Sequence, residues 1–282
     1  RRLGTDVGLR WSGKLRWEST TEGAKELHQR VRQLQAWGYP SRIIDEAELH
    51  RLEPELRPGT VAAAVLNEND GHVDPTKVIH ACLKGAQARG AAVHIDTRVT
   101  GLSLGSAGSE PSLAKAVQIG DGELPCDVVV LAAGVGTTAL AATAGIQIPQ
   151  RESPGVVIRT DPRPQVLHTV SVIYAPAADS GRSEFHLCQT ADGSLMIGAE
   201  KQESLNKDDS REHAEDLLAR ATHYFPILRG ATAIPLSVAY RPMPVDGLPV
   251  LGFTESVPNL YMALMHSGVT LAPIVGELSA ME

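Results

Sequence analysis

Between Thr21 and Trp37 apolar residues fall at Leu27, Val31, Leu34 and Trp37, the spacing of one helical face, and Gly38 with Pro40 closes the segment. Asp45 predicts the cap of a short helix, Glu46 to Leu52, that Pro54 terminates. Asp74 followed by Pro75 predicts the start of another helix, running to about Arg89 with Val78, Cys82, Leu83 and Ala86 on one face. A fourth amphipathic helix is expected over Asp208 to Phe225, with Leu217, Leu218, Ala221 and Phe225 inward. Elsewhere the period is two. Trp11 to Trp17 reads as strand or hairpin and Val61 to Leu66 as strand. Val156 to Arg159, Ser171 to Ala175, Glu184 to Gln189, Ser194 to Ala199 and Ala233 to Tyr240 alternate between short turns, as antiparallel strands do.

A different texture separates these blocks. Ala91 to Asp96, Thr97 to Leu104, Ala114 to Gly120 and Leu124 to Leu131 are expected strands, with a Gly/Ser loop at Gly105 to Pro111. The run VVVL, Val128 to Leu131, is apolar at every position, the pattern of a strand covered on both faces. After Tyr240 come strands Leu248 to Gly252 and Leu260 to Met265, then an apolar helix. The fold class is therefore mixed α/β, in two discontinuous parts. The expected boundaries are 1–20, 70–152 and 241–282 for an α/β part, and 21–69 with 153–240 for an inserted antiparallel-sheet part.

Composition narrows the function without defining it. A net charge of −7 and no basic stripe interleaved with aromatics argue against nucleic acid or an anionic membrane as partner. Cys82, Cys126 and Cys188 are widely spaced and read as buried thiols in a reducing, cytoplasmic compartment. The stretch Val128 to Pro149 has no charge over 22 residues, but its three glycines and many alanines argue against a membrane span. No metal-ligand spacing, Ser-His-Asp order or catalytic carboxylate pair stands out.

Several segments could carry chemistry. LAAGVGTT, Leu131 to Thr138, follows an apolar strand, and its small residues would let a ligand approach the backbone; a plain strand-to-helix turn reads the same way. Arg241 leaves a strand and meets Pro242. A guanidinium there can grip a carboxylate in bidentate fashion or make a structural ion pair. A turn follows at Asp246 and Gly247. HSGVTLAP, His266 to Pro273, is a small-residue turn entering a helix, and offers backbone N–H groups to an electron-rich ring. DGHVDP, Asp70 to Pro75, is a turn with a helix cap, and its His72 is either a hydrogen-bonding residue or a base.

Together these segments resemble the FAD-dependent D-amino-acid oxidase and glycine oxidase family, across essentially the whole chain. The resemblance implies FAD as cofactor and an amino acid or secondary amine as substrate, oxidised at its C–N bond by hydride transfer to the flavin. It implies flavin or adenine contacts from Val99, Ala132, Ala133, Gly134, Gly136, Pro242, Asp246, Gly247, His266, Ser267, Gly268, Val269, Thr270 and Leu271. It implies Arg241 as carboxylate anchor, and His186 where relatives place an active-site tyrosine; Tyr174 and Tyr240 are candidate walls. The aromatic that relatives carry near the second glycine of the A-x-G turn is Gly136 here, and the HSGVTLAP turn lacks their second arginine. Oxygen or another carrier would reoxidise the flavin, and a homo- or hetero-oligomer is compatible. A flavin-dependent 2-hydroxy-acid dehydrogenase, which would need His186, His72 or His266 as a base, and a non-catalytic subunit are the alternatives. No G-x-G-x-x-G pyrophosphate loop occurs in the chain, nor the acidic residue that should follow it. The simplest expectation is a sequence lacking the family's first roughly sixty residues, one that alone binds FAD weakly or not at all.

Overall fold

The structure is a computed structural model that describes residues 4–105, 112–120, 122–177, 184–199 and 204–282. The expected loop at Gly105 to Pro111 falls almost wholly outside them. The chain forms two compact units, Arg1–Arg89 with Pro154–Ala239, and Gly90–Ser153 with Tyr240–Glu282.

An eight-stranded sheet organises the first unit. Its order is Ala233–Pro235, Val157–Thr160, Leu195–Ala199, Phe185–Gln189, Val172–Ala175, Lys14–Glu18, Ala63–Asn67, Ser41–Ile44. All pairs are antiparallel except Lys14–Glu18 with Val172–Ala175. Lys14–Glu18 thus sits inside this sheet, which is why residues 1–20 group with this unit and not with the α/β part where the sequence reading puts them. The unit boundary likewise falls after Arg89, not after residue 69.

Alternation gives the sheet two unlike faces. Leu15, Trp17, Ile173, Phe185, Leu187, Leu195, Ile197 and Ile158 point to one side, and helix Arg211–Tyr224 packs there through Ala214, Leu217, Leu218, Ala221 and Tyr224. Trp17 is fully buried, edge-on to Tyr224 at 5.1 Å, and donates its indole N–H to Pro58 O at 3.3 Å. Burial on this scale contributes about 1.5–3 kcal/mol per large apolar side chain. The other face is mixed, with Lys14, Arg16, Glu18 and Arg159 beside Val65, Cys188 and Met196. Helix Thr21–Ala36 covers part of it, burying Ala24, Leu27 and Val31 against Ala63 and Val65.

The predicted caps Asp45 and Asp74 form, and Thr20 and Ser210, outside the expected set, likewise accept a backbone N–H of the following turn. Helix Pro75–Gln87 departs from expectation, since Ala81 is its one buried residue. Cys82 is exposed, as are Ile79 and Leu83, so the reading of three buried thiols holds fully for Cys188, while Cys126 is half-buried.

Two three-stranded sheets make the second unit. One has the order Val250–Phe253, Leu260–Leu264, Val129–Leu131, the last two parallel; the other is the meander Val99–Leu104, Ala114–Ile119, Gly122–Pro125. Leu102, Val129, Leu131, Ala141, Leu260, Met262 and Leu264 share its core. Asn259 ties the sheets together: its amide N–H reaches Ala114 O (2.8 Å) and Asp127 O (2.7 Å), and its Oδ1 accepts Ala114 N–H (2.9 Å).

Two expectations fail here for one physical reason. Ala91–Asp96 forms no strand and Val128–Leu131 is not covered on both sides, with Val128 and Val130 52% and 57% exposed. An apolar run predicts burial, but a strand also needs a ladder partner and a second layer. The described residues of this unit do not supply both to either segment. Helix Gly268–Met281 has no buried residue despite its apolar sequence. The uncharged stretch 128–149 breaks into strand, turn and the short helix Thr137–Ala142, and no described helix is long and apolar enough to cross a membrane.

Candidate active site

In the second unit, two turns leave the carboxyl ends of adjacent parallel strands, because Leu131 pairs in register with Met262. That end of a parallel pair is where α/β sheets receive ligands. The first turn is Ala132 to Gly136. Ala132 and Ala133 are exposed, Gly134 has φ +58°, and a Cβ built on it would meet nothing within 4 Å. The second is His266 and Ser267. Ser267 adopts φ 60°, ψ 34°, its hydroxyl lies 2.6 Å from His266 Nδ1, and no described side chain caps helix Gly268–Met281. Gly268, Val269 and Thr270 are exposed in the first helical turn and Leu271 is half-buried.

A short antiparallel ladder carries Arg241. Arg241 N donates to Ser153 O (2.9 Å), Arg151 N to Met243 O (2.9 Å), and Gln150 bridges Pro244. Gln150, which sequence reasoning passed over, joins this ladder to the first turn. Its Nε2 donates to Gly134 O at 3.3 Å and to Thr138 Oγ1 at 3.0 Å. Arg241 and Tyr240 therefore line a cavity of about 450 Å³ together with Val135, Thr138, Gln150 and Glu152. Beyond Pro242, Asp246 Oδ1 accepts Leu248 N–H (2.9 Å) and Gly247 takes φ +79°, so this turn is built from its own side chain. Val99 begins the meander sheet, away from the two turns in the hydrogen-bonded order.

The residues present fit the flavin end of FAD. A flat ring needs small side chains, apolar surface and backbone donors, and Ala132, Ala133, Val135 and the uncapped helix start supply them. No described residues form a pyrophosphate cradle of the glycine-rich kind.

His186 and Tyr174 belong to the first unit. They pair across neighbouring strands and their rings stack, centroids 5.4 Å apart. On the far side His186 faces Gly198, its partner on the next strand, and a Cβ there would fall 2.6 Å from His186 Nε2. Glycine at 198 is thus what lets the imidazole lie flat on the sheet, a relation legible only once the hairpin register is known. His186 lines a cavity of about 740 Å³ with His72, Asp74, Arg159, Cys188 and Met196. Tyr174 does not line it and instead walls a separate cavity of about 530 Å³. His72, held by reciprocal backbone hydrogen bonds with Arg10 at 2.8 Å, has its pKa lowered by burial and by the Arg10 charge, so its ring is neutral at pH 7. Burial pushes the Cys188 thiol up to about 11, leaving it a protonated, apolar wall.

Paired turns at the ends of parallel strands in an α/β unit form a place where a ligand ring can bind. The DAO family, FAD dependent oxidoreductase, matches residues 1–281, and the chain belongs to it. The glycine oxidase of Geobacillus kaustophilus is 25% identical over 282 residues, covering 99% of this chain and 71% of that protein. An opine oxidase subunit of Rhizobium meliloti is 26% identical, covering 95% and 68%. The crystal structure of L-proline dehydrogenase from P. horikoshii superposes with a TM-score of 0.82 at 22% identity, covering 99% of this chain and 73% of that one. The protein is accordingly an FAD-dependent oxidoreductase of the amino-acid and amine oxidase type.

Proposed function

We propose that this protein oxidises the C–N bond of a small amino acid or secondary amine whose carboxylate is anchored by Arg241. The observation that carries this reading is the shared cavity of Arg241 with Val135 and Thr138, next to the small-residue turn that suits a flavin. FAD, when bound, supplies the two-electron acceptor. The planar guanidinium orients the substrate through paired hydrogen bonds, and orientation is the main demand of amine oxidation, since a neutral amine needs no strong base. Tyr240 walls the same cavity. In the first unit the stacked His186 and Tyr174 offer a rigid aromatic surface suited to a substrate. The relatives named for glycine, opines and L-proline share an amine joined to a carboxylate, which agrees with a single cationic anchor.

The second unit thus carries the flavin turns together with the anchor Arg241 and the wall Tyr240. Oxygen or another carrier regenerates the flavin, and the likeness to a protein called a subunit allows a hetero-oligomer. Three unpaired cysteines suit a reducing cytoplasm. Without a glycine-rich loop in its 282 residues, the chain by itself holds FAD weakly. A stoichiometric yellow holoprotein would sink that last point.

The test is dye reduction by FAD-loaded protein over glycine, sarcosine, proline and D-amino acids. Arg241→Lys should raise KM for the best substrate about tenfold or more while kcat changes less. An unchanged KM refutes the anchor. A second reading, oxidation of a 2-hydroxy acid, is favoured by the half-buried His72, which lines the same cavity as His186 and whose pKa burial lowers. It requires lactate-type substrates to outpace amines and His72→Gln to abolish turnover.

A further inference from the structure

Three neighbouring strands set Lys14, Asn67 and Ser41 in one row across the sheet, Lys14 opposite Asn67 and Asn67 opposite Ser41. Strands lie about 4.8 Å apart, so the row spans roughly 10 Å with Asn67 in the middle. All three residues line the cavity of about 530 Å³ between this face and helix Thr21–Ala36, which contributes Leu27, Val31 and Leu34 as an apolar wall. Ser41 and Asn67 are 3% and 8% exposed, yet Ser41 Oγ and Asn67 Oδ1 have no hydrogen-bond partner among the described residues. Buried polar groups are nearly always paired, and leaving a hydroxyl and a neighbouring amide oxygen unpaired on a single cavity wall is costly.

The charges around them are already matched. Asp70 receives Tyr39 Oη–H at Oδ1 (2.7 Å) and the Lys14 ammonium at Oδ2 (2.8 Å). Lys14, Arg16 and Arg30 balance Glu18, Glu26 and Asp70 around the cavity. What the cavity lacks is a donor for Asn67 Oδ1, a partner for the Ser41 hydroxyl and an acceptor for a remaining Lys14 proton, carried by a neutral molecule. We propose that it is a binding site for a small primary carboxamide with an aliphatic body. The NH₂ group donates to Asn67 Oδ1 and Ser41 Oγ, the carbonyl accepts from Lys14 Nζ, and the hydrocarbon lies on Leu27, Val31 and Leu34. A carboxylate can take the Ser41 hydroxyl proton but has no donor for Asn67 Oδ1, and an alkylammonium meets the Lys14 charge at close range. Tyr174 also lines this cavity, which is distinct from the one lined by His186, and the binding does not rest on the proposed oxidation.

Isobutyramide, isobutyrate and isobutylamine, titrated into the full chain by calorimetry, test it without any activity readout. Isobutyramide should bind saturably at one site, about tenfold or more tighter than the acid or the amine. Ser41→Ala and Asn67→Ala should each weaken it about tenfold with unchanged circular dichroism. Leu27→Trp, which fills the cavity from the helix side, should abolish it. Equal affinity for the three probes, no saturable binding, or full binding by folded Asn67→Ala overturns the proposal. Should a variant fail to fold, the ranking of the three probes on the unsubstituted chain decides.

Discussion

Glu53 stands at the end of helix Glu46–Leu52 with its side chain fully buried and a carboxylate that pairs with no lysine or arginine among the described residues. Three backbone N–H groups hold it instead: His168 to Oε2 at 2.8 Å, and Thr169 and Val170 to Oε1 at 2.8 and 2.7 Å. Through these bonds it fixes the approach to strand Val172–Ala175. In Glu53→Gln the carbonyl can keep Thr169 and Val170, while the amide NH₂ faces the His168 N–H, donor against donor. Losing one bond to a charged group and stranding its donor should cost about 2–4 kcal/mol in urea melts. The pH dependence sharpens the test. Burial raises the Glu53 pKa above its ordinary 4.5, against the opposing pull of the three N–H bonds. Between 4.5 and the raised value the folded state keeps a proton that the unfolded chain has released, so stability falls as pH rises through that window. The variant has no such titration. The stability gap between the two proteins should therefore shrink as pH rises from 4.5 and then level off. A gap below about 1 kcal/mol refutes the bond count, and a gap that widens with pH shows that the N–H donors outweigh burial.

Gly198→Ala should force the His186 ring off the sheet and out of its stack with Tyr174, because the new Cβ falls 2.6 Å from Nε2. The expected result is loss of the ring-current shift of the His186 C2 proton and about tenfold slower turnover in FAD-loaded protein; an unmoved resonance rejects it. Gly193→Ala places a Cβ 2.9 Å from Arg163 O at φ +88°, and should destabilise the hairpin by about 1–3 kcal/mol in thermal melts. In the same turn, Asp192 has its pKa lowered to about 2, first by the Thr190 hydroxyl and then by Ser194 N–H. Its contribution is present above the ordinary 3.8 and is lost as pH falls toward 2, so Asp192→Asn should flatten the acid limb of the stability curve.

Much of this architecture is legible in the sequence because it is local. Asp45 and Asp74 announce their helices through hydrogen bonds two or three residues away, and alternation at Phe185–Gln189 and Leu195–Ala199 encodes which side faces the core. Arg241 stands out in the same way, as an arginine just past a strand end, where its N–H donates to Ser153 O. What stays hidden depends on register. That Gly198 seats His186, that Gln150 fastens the Gly134 turn to the ladder of Arg241, and that Asn67 and Ser41 share a row all follow from pairings between distant segments. Ala91–Asp96, which forms no strand, and VVVL, which forms one but is not covered on both faces, expose the limit from the other side. VVVL and Ala91–Asp96 carry the composition of buried strands, but composition states only that a segment gains free energy by being covered, never by what. The exposed Val128, Val130 and Val269 concentrate that unmet demand in the unit that holds the two turns suited to a flavin. The surface that makes the cofactor site recognisable is therefore also the part of the chain with most free energy to gain from further contact, so bound FAD should raise the stability of the second unit more than that of the first. Hydrogen exchange with and without FAD measures this directly: added protection confined to the eight-stranded sheet would contradict it.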